Sequence, residues 1–196
     1  LATVENLTSK ELTPLPIHTV TTKNIVKALA SRHYVATSLN DNLSERIFDT
    51  YINDLDPSKS YFLQADIDMF TRYRESMDDA LKRGNLSPAF DIFNRYQERV
   101  ISRFEKILTL LSAETMTFDF TKEETLLVNR DDSPWAKSEE ELDKLWRKRI
   151  KNAFLNLKLT DKKSDKIQTL LHKRFSNRLT RSLQTNSEDV YQIYMN

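Results

Sequence analysis

Apolar residues recur along most of this chain at intervals of three and four, the period of helices that bury one face. The first helix is expected to begin after Thr21 or Thr22, with Ile25, Val26, Leu29 and Ala30 as its apolar positions. Residues 1–20 before it are polar and interrupted by Pro14 and Pro16, which predicts an extended arm. Asn42 with Glu45 reads as a capping box for a second helix carrying Leu43, Ile47, Phe48, Tyr51, Ile52 and Leu55. Asp56-Pro57-Ser58 is a turn by composition and should stop that helix near Leu55. Tyr61, Phe62 and Leu63 are placed to anchor this corner, with Ser60 or Asp66 available to cap the next helix. A third helix is marked by Leu63, Ile67, Phe70, Tyr73 or Arg74, Met77 and Leu81, and Gly84 stands where a left-handed cap would end it. Ser87-Pro88 then opens a long stripe from Ala89 to Leu111, a strut of about 36 Å at 1.5 Å per residue.

The pattern weakens from Ala113 to Ser138, where short extended segments near 115–128 and a turn at Asp131-Asp132-Ser133 leading to Trp135 are expected. Ser138 before three glutamates starts another helix, with Leu142, Leu145, Trp146, Ile150, Phe154 and Leu157 inward. Ser164 can cap its partner, whose Ile167, Leu171, Phe175, Leu179 and Leu183 repeat every fourth residue. Asn186 or Ser187 can cap a final short helix containing Val190, Tyr191, Ile193, Tyr194 and Met195. A helix this short holds only by packing, and at least part of its apolar face is expected to pack on sequence beyond Asn196 rather than on the same domain.

Composition narrows the class. One glycine and five prolines in 196 residues, with 30% charged, suit long surface-patterned helices and an all-α domain with a long central helix. Residues 21–196 are expected to form a single helical domain. The absence of cysteine excludes disulfides, thiolate-bound zinc and thiol catalysis. No apolar run approaches the roughly 18 residues needed to cross a bilayer, and no basic segment followed by an apolar one marks a leader. Leu1 in place of an initiator methionine points to a processed or cut product.

Candidate chemistry is sparse. His33 beside Tyr34 reads as a structural histidine, since no nucleophile accompanies it. Met69 and Met77 read as core filling. Glu123-Glu124 and Asp131-Asp132 lack the alternating spacing and glycine of a calcium loop and read as solvated acids. Neither a G-x-S-x-G elbow nor a phosphate loop occurs. Catalytic, cofactor-binding and metal-ligating residues are therefore all expected to be none. Between Lys144 and Arg181, thirteen Lys or Arg face two Asp, a net +11 that leaves −10 elsewhere in a chain of total charge +1. Such asymmetry can mark nucleic-acid or anionic-lipid binding. The cations interleave with a core stripe, however, and electrostatic matching to the acidic remainder is the preferred reading.

Several blocks, in order, resemble one family. They are His33-Tyr34, Ile47-Phe48-Asp49 to Tyr51, Leu55-Asp56 with Phe62-Leu63 and Asp66, Pro134-Trp135, Leu145-Trp146, and Gln184-Thr185-Asn186-Ser187-Glu188-Asp189-Val190. Together they look like the N-terminal helical domain of the tail-specific proteases, or carboxy-terminal processing peptidases, of the long bacterial periplasmic type. The resemblance covers essentially the whole chain. It implies a periplasmic serine endopeptidase acting on proteins with apolar C-terminal tails through a PDZ domain and a Ser-Lys dyad, all downstream of Asn196. No catalytic residue can be carried onto this chain, and the fragment alone is expected to be inactive. Its implied roles are shaping substrate access and docking an adaptor lipoprotein. The alternative is an independent helical module whose basic helices bind nucleic acid or anionic membranes.

Overall fold

A computed structural model describes residues 10–31, 40–113, 117–160 and 163–196. Among these the fold is all-α: α1 (Pro16–Ser31), α2 (Asp41–Leu55), α3 (Gln64–Phe70), a 3-10 turn (Thr71–Tyr73), α4 (Met77–Arg83), α5 (Ser87–Ser112), α6 (Glu139–Lys158), α7 (Ser164–Gln184) and α8 (Ser187–Met195). They divide into two compact units. One holds 58–64 and 97–184, and the other holds 10–57, 65–96 and 185–196. The central strut is the 26-residue α5, which supplies residues to both.

In the second unit α1 opens earlier than the pattern indicates. Pro16 begins the helix instead of breaking it, because a first-turn residue has no intrahelical partner for its N–H and proline's fixed φ already suits a helix. His18 reaches back so that its Nδ1 accepts the Leu15 N–H at 3.2 Å, half of a capping box with imidazole in the usual place of a carboxylate. Of the expected arm, residues 1–9 lie outside the described residues and 10–15 have no regular structure. The core assignment for α1 is also corrected. Its buried residues are His18 and Thr22, while Ile25 and Leu29 are 38% and 68% exposed.

The cap of α2 is Asn40, whose Oδ1 accepts the Leu43 N–H at 3.1 Å, and Asn42 lies within the first turn. Phe48, Tyr51, Ile52 and Leu55 are buried as expected, and the helix ends at Leu55. The single helix expected from Leu63 to Leu81 is broken instead into α3, the 3-10 turn and α4. Ser44 of α2 explains the break. Its Oγ donates to the Arg74 carbonyl at 2.8 Å and accepts the Met77 N–H at 2.7 Å, inserting a side chain into what would be the helical ladder. Arg74 then forks onto both Asp49 oxygens at 2.7 and 2.8 Å. Gly84 ends α4 at φ 68°, with its N–H shared between the Ala80 and Leu81 carbonyls.

The first unit is built on α6 and α7 packed together, with the second half of α5. Ser138 caps α6 as expected, and α7 buries Ile167, Leu171, Phe175 and Leu179. The ring of Phe104 lies 5.9 Å from that of Phe175 and 6.4 Å from that of Trp146. Residues 117–128 form no strand, and 115–116 lie outside the described residues. The only bridge among the described residues pairs Leu63 with Ala136.

Candidate functional site

The corner sequence after α2 is organised by aromatic packing and a few buried polar groups. In the first unit, Lys59 takes the left-handed φ of 46° that lets residues 58–64 turn. Phe62 is fully buried with Trp135 edge-on at 6.0 Å, and the Trp146 indole donates to the Ser60 carbonyl at 2.7 Å. Tyr61 lies 5.4 Å from the Trp146 ring. In the second unit, Asp66 sits in the first turn of α3, 2% exposed, and accepts from Arg95 Nε at 2.7 Å. These groups fix the chain path, and each polar one is engaged.

A second cluster in the same unit centres on His18. Its Nε2 lies 2.8 Å from Glu188 Oε2, and its ring stacks on Tyr191 at 4.3 Å and 5°. Because Nδ1 accepts the Leu15 N–H, the neutral imidazole carries its proton on Nε2 and donates to Glu188. Gln192, and then His18, hold the Glu188 carboxyl below its ordinary range. Thr22 adds a hydroxyl contact to Tyr191 at 3.3 Å. The group has the histidine and carboxylate of a hydrolytic triad, yet both ring nitrogens are spent on structure. No lone pair remains to activate a hydroxyl. Asn186 with Asp189 caps α8 as a full capping box, and Val190 and Tyr191 are buried while Ile193 is 41% exposed. Burial raises the Tyr51 phenol, whose hydroxyl donates to the Ala89 carbonyl at 3.1 Å, and burial likewise raises Tyr194.

The first unit carries two ion-pair ladders. Arg103, 4% exposed, contacts Asp143 and, at 3.0 Å, Glu139, which also takes Arg99 and Lys106. Burial pushes the Asp143 carboxyl up, but the Arg103 guanidinium outweighs it and the net displacement is downward. On the 117–130 connection, Glu124 accepts from Arg147 and, at 2.5 Å, from Lys151, and these bonds hold its carboxyl at about 2. Within the basic segment, Arg147 and Lys151 thus find their acid on the connection that lies against their own helix, a local matching of charge. Lys158 lies over the Phe120 ring and Arg178 over that of Phe175.

Asp131 and Asp132 lie in an exposed turn, and no cluster of three or more His, Asp or Glu is arranged to hold a metal among the described residues. His33 and Tyr34 lie outside the described residues. The histidine that organises the second unit is His18, a residue the apolar pattern does not mark. Its place three residues after Leu15, with Pro16 between, is the available signal. No helix among the described residues is long and apolar enough to cross a membrane.

Comparison with known proteins covers nearly the same stretch of chain. The family described as the tail specific protease N-terminal domain matches residues 25–196. A tail-specific protease of Haemophilus influenzae is 38% identical over 176 residues, 89% of this chain and 25% of that protein. The chain thus spans a quarter of the length of this curated relative.

Proposed function

The chain belongs to the family of tail-specific protease N-terminal domains, and on that premise we propose that it is the non-catalytic helical domain of a periplasmic serine endopeptidase. In this reading residues 21–196 act as one domain that shapes the access of apolar C-terminal tails to a PDZ segment and a Ser-Lys dyad elsewhere in a longer protein. It also offers a docking face to an adaptor lipoprotein. The observation that carries the reading is the family match over nearly the whole chain, joined to its quarter share of a relative named as a protease. The internal engagement of His18, Glu188 and Ser44 supports a scaffold in place of a reaction centre. The alternative of an independent module binding nucleic acid or membranes draws nothing from these comparisons.

The test uses an unfolded protein with an apolar C-terminal tail as substrate. This chain alone should leave it intact, whereas a longer protein that includes the downstream portion should cleave it. Removing residues 1–196 from the longer protein should reduce its discrimination between apolar and polar tails. Cleavage by the rigorously purified chain would overturn the non-catalytic assignment. Unchanged tail discrimination would overturn the access role.

A further inference from the structure

The short segment that leads into α1 is held at two points of different chemistry. At Leu12 both backbone groups are engaged by the Asn94 amide of α5: the Leu12 N–H donates to Oδ1 at 3.0 Å, and Nδ2 donates to the Leu12 carbonyl at 2.9 Å. At Leu15 the N–H donates to His18 Nδ1 at 3.2 Å. A carboxamide keeps its donor and acceptor across the ordinary pH range, whereas an imidazole nitrogen accepts only while it carries no proton. The first hold is therefore fixed, and the second depends on protonation.

Protonation gives the two nitrogens of His18 opposite fates. Nδ1 becomes a donor aimed at the Leu15 N–H, so that bond is lost. Leu15 is 43% exposed, and a small displacement of its amide reaches water. Nε2 keeps its proton and its 2.8 Å contact with Glu188, and that bond becomes charge-assisted. Glu188 remains an anion through this change, because Gln192 and then His18 hold its carboxyl below the ordinary range. The other elements around the ring add no competing carboxylate among the described residues. From α8 Tyr191 stacks on it, with the tyrosine hydroxyl taken by Thr22, and from α5 the Phe90 ring lies at 6.4 Å. On α4, packed along α1, the buried Asp78 pairs with Lys82 at 2.8 Å. On α1 itself Lys23 and Lys27 are exposed.

We propose that His18 is a proton-operated clasp: the neutral ring ties Leu15 to the start of α1, and the protonated ring releases it while drawing α1 more firmly to α8. Asn94 holds Leu12 in both states, so the motion is confined to residues 13–15. Imidazole is the side chain that ordinarily changes charge between about pH 5 and 8, which sets the range to be scanned.

The test follows the full chain by NMR across that range, reading the His18 ring shifts together with exchange protection at three amides. Protection at Leu15, corrected for the intrinsic effect of pH on exchange, should fall about tenfold or more with the same midpoint as the His18 ring. Leu12, held by Asn94, and Val190, bonded to the Asn186 carbonyl in α8, should change less than about twofold. His18→Gln has no titrating ring and should leave Leu15 protection level across the range. Glu188→Gln removes the anion and should move the Leu15 midpoint to lower pH by about half a unit, a modest shift because Glu188 is half exposed. This second variant reads the clasp even where His18→Gln does not fold. The clasp is overturned if Leu15 protection stays constant while His18 titrates, if the ring stays neutral until the chain unfolds, if His18→Gln retains the pH-dependent loss, or if the midpoint does not move in Glu188→Gln. Loss of protection at Val190 together with Leu15 would overturn it in favour of general acid unfolding.

Discussion

Replacing Gly84 with alanine tests a close backbone approach in the second unit. Gly84 sits at φ 68°, and a β-carbon there would lie 2.8 Å from the Thr19 carbonyl oxygen and 3.0 Å from both Thr19 Cγ2 and Lys23 Cε. The left-handed conformation costs an alanine about 1–2 kcal/mol. Relieving the overlap adds a similar amount, because the oxygen belongs to backbone and only the lysine end moves freely. Restricting the unfolded chain returns about 0.4–1 kcal/mol. Gly84→Ala should therefore destabilise by about 2 kcal/mol, read as a lower urea midpoint with an unchanged slope. In a Thr19→Ala background the Cγ2 contact disappears, while the carbonyl overlap and the φ remain. The penalty should then fall by less than half. A loss below about 0.5 kcal/mol, or a penalty abolished by Thr19→Ala, would refute the assignment of strain to φ and backbone.

Asp66→Asn keeps the shape of a buried side chain but removes the charge facing Arg95, and should cost about 2 kcal/mol in urea unfolding; a neutral result would mean the pair contributes nothing net. His18→Ala should speed hydrogen exchange at the Leu15 amide at least tenfold and lower stability by about 3 kcal/mol, through loss of the stacked ring and the N–H acceptor. Unaltered exchange at Leu15 would remove the capping role. Glu124 is held at about 2 against an ordinary value of 4.5, so its contribution is present above the ordinary value and is lost as pH falls from about 4.5 to 2. Glu124→Gln should flatten the stability-versus-pH curve in that window alone, and an identical acid limb would rule the pairing out.

The helices whose signals are local were legible. Leu55 before Asp56-Pro57, Ser138 before three glutamates, Gly84 and the stripe along α5 each state their role within a few residues, and each is found where expected. The features that periodicity misplaces depend on partners distant in sequence. The break between α3 and α4 is written in Ser44, some thirty residues upstream, whose hydroxyl means nothing until α2 is placed beside Arg74 and Met77. The inversion of α1 has the same origin. Periodicity ranks Ile25 and Leu29 as core, but burial goes to whichever residues face α4 and α8. His18 and Thr22 can be taken inside because Leu15, Glu188 and Tyr191 satisfy their polar atoms.

Three of the blocks that made the family recognisable do mechanical work. Phe62 and Leu63 are buried at the corner, Trp146 donates to Ser60, and Asn186 with Asp189 starts α8. Each acts through packing or a short hydrogen bond to backbone, which is why it can be seen in one sequence without any chemistry beside it. The +11 of the basic segment overstated its binding potential because part of that charge is consumed by Glu124 and by aromatic rings.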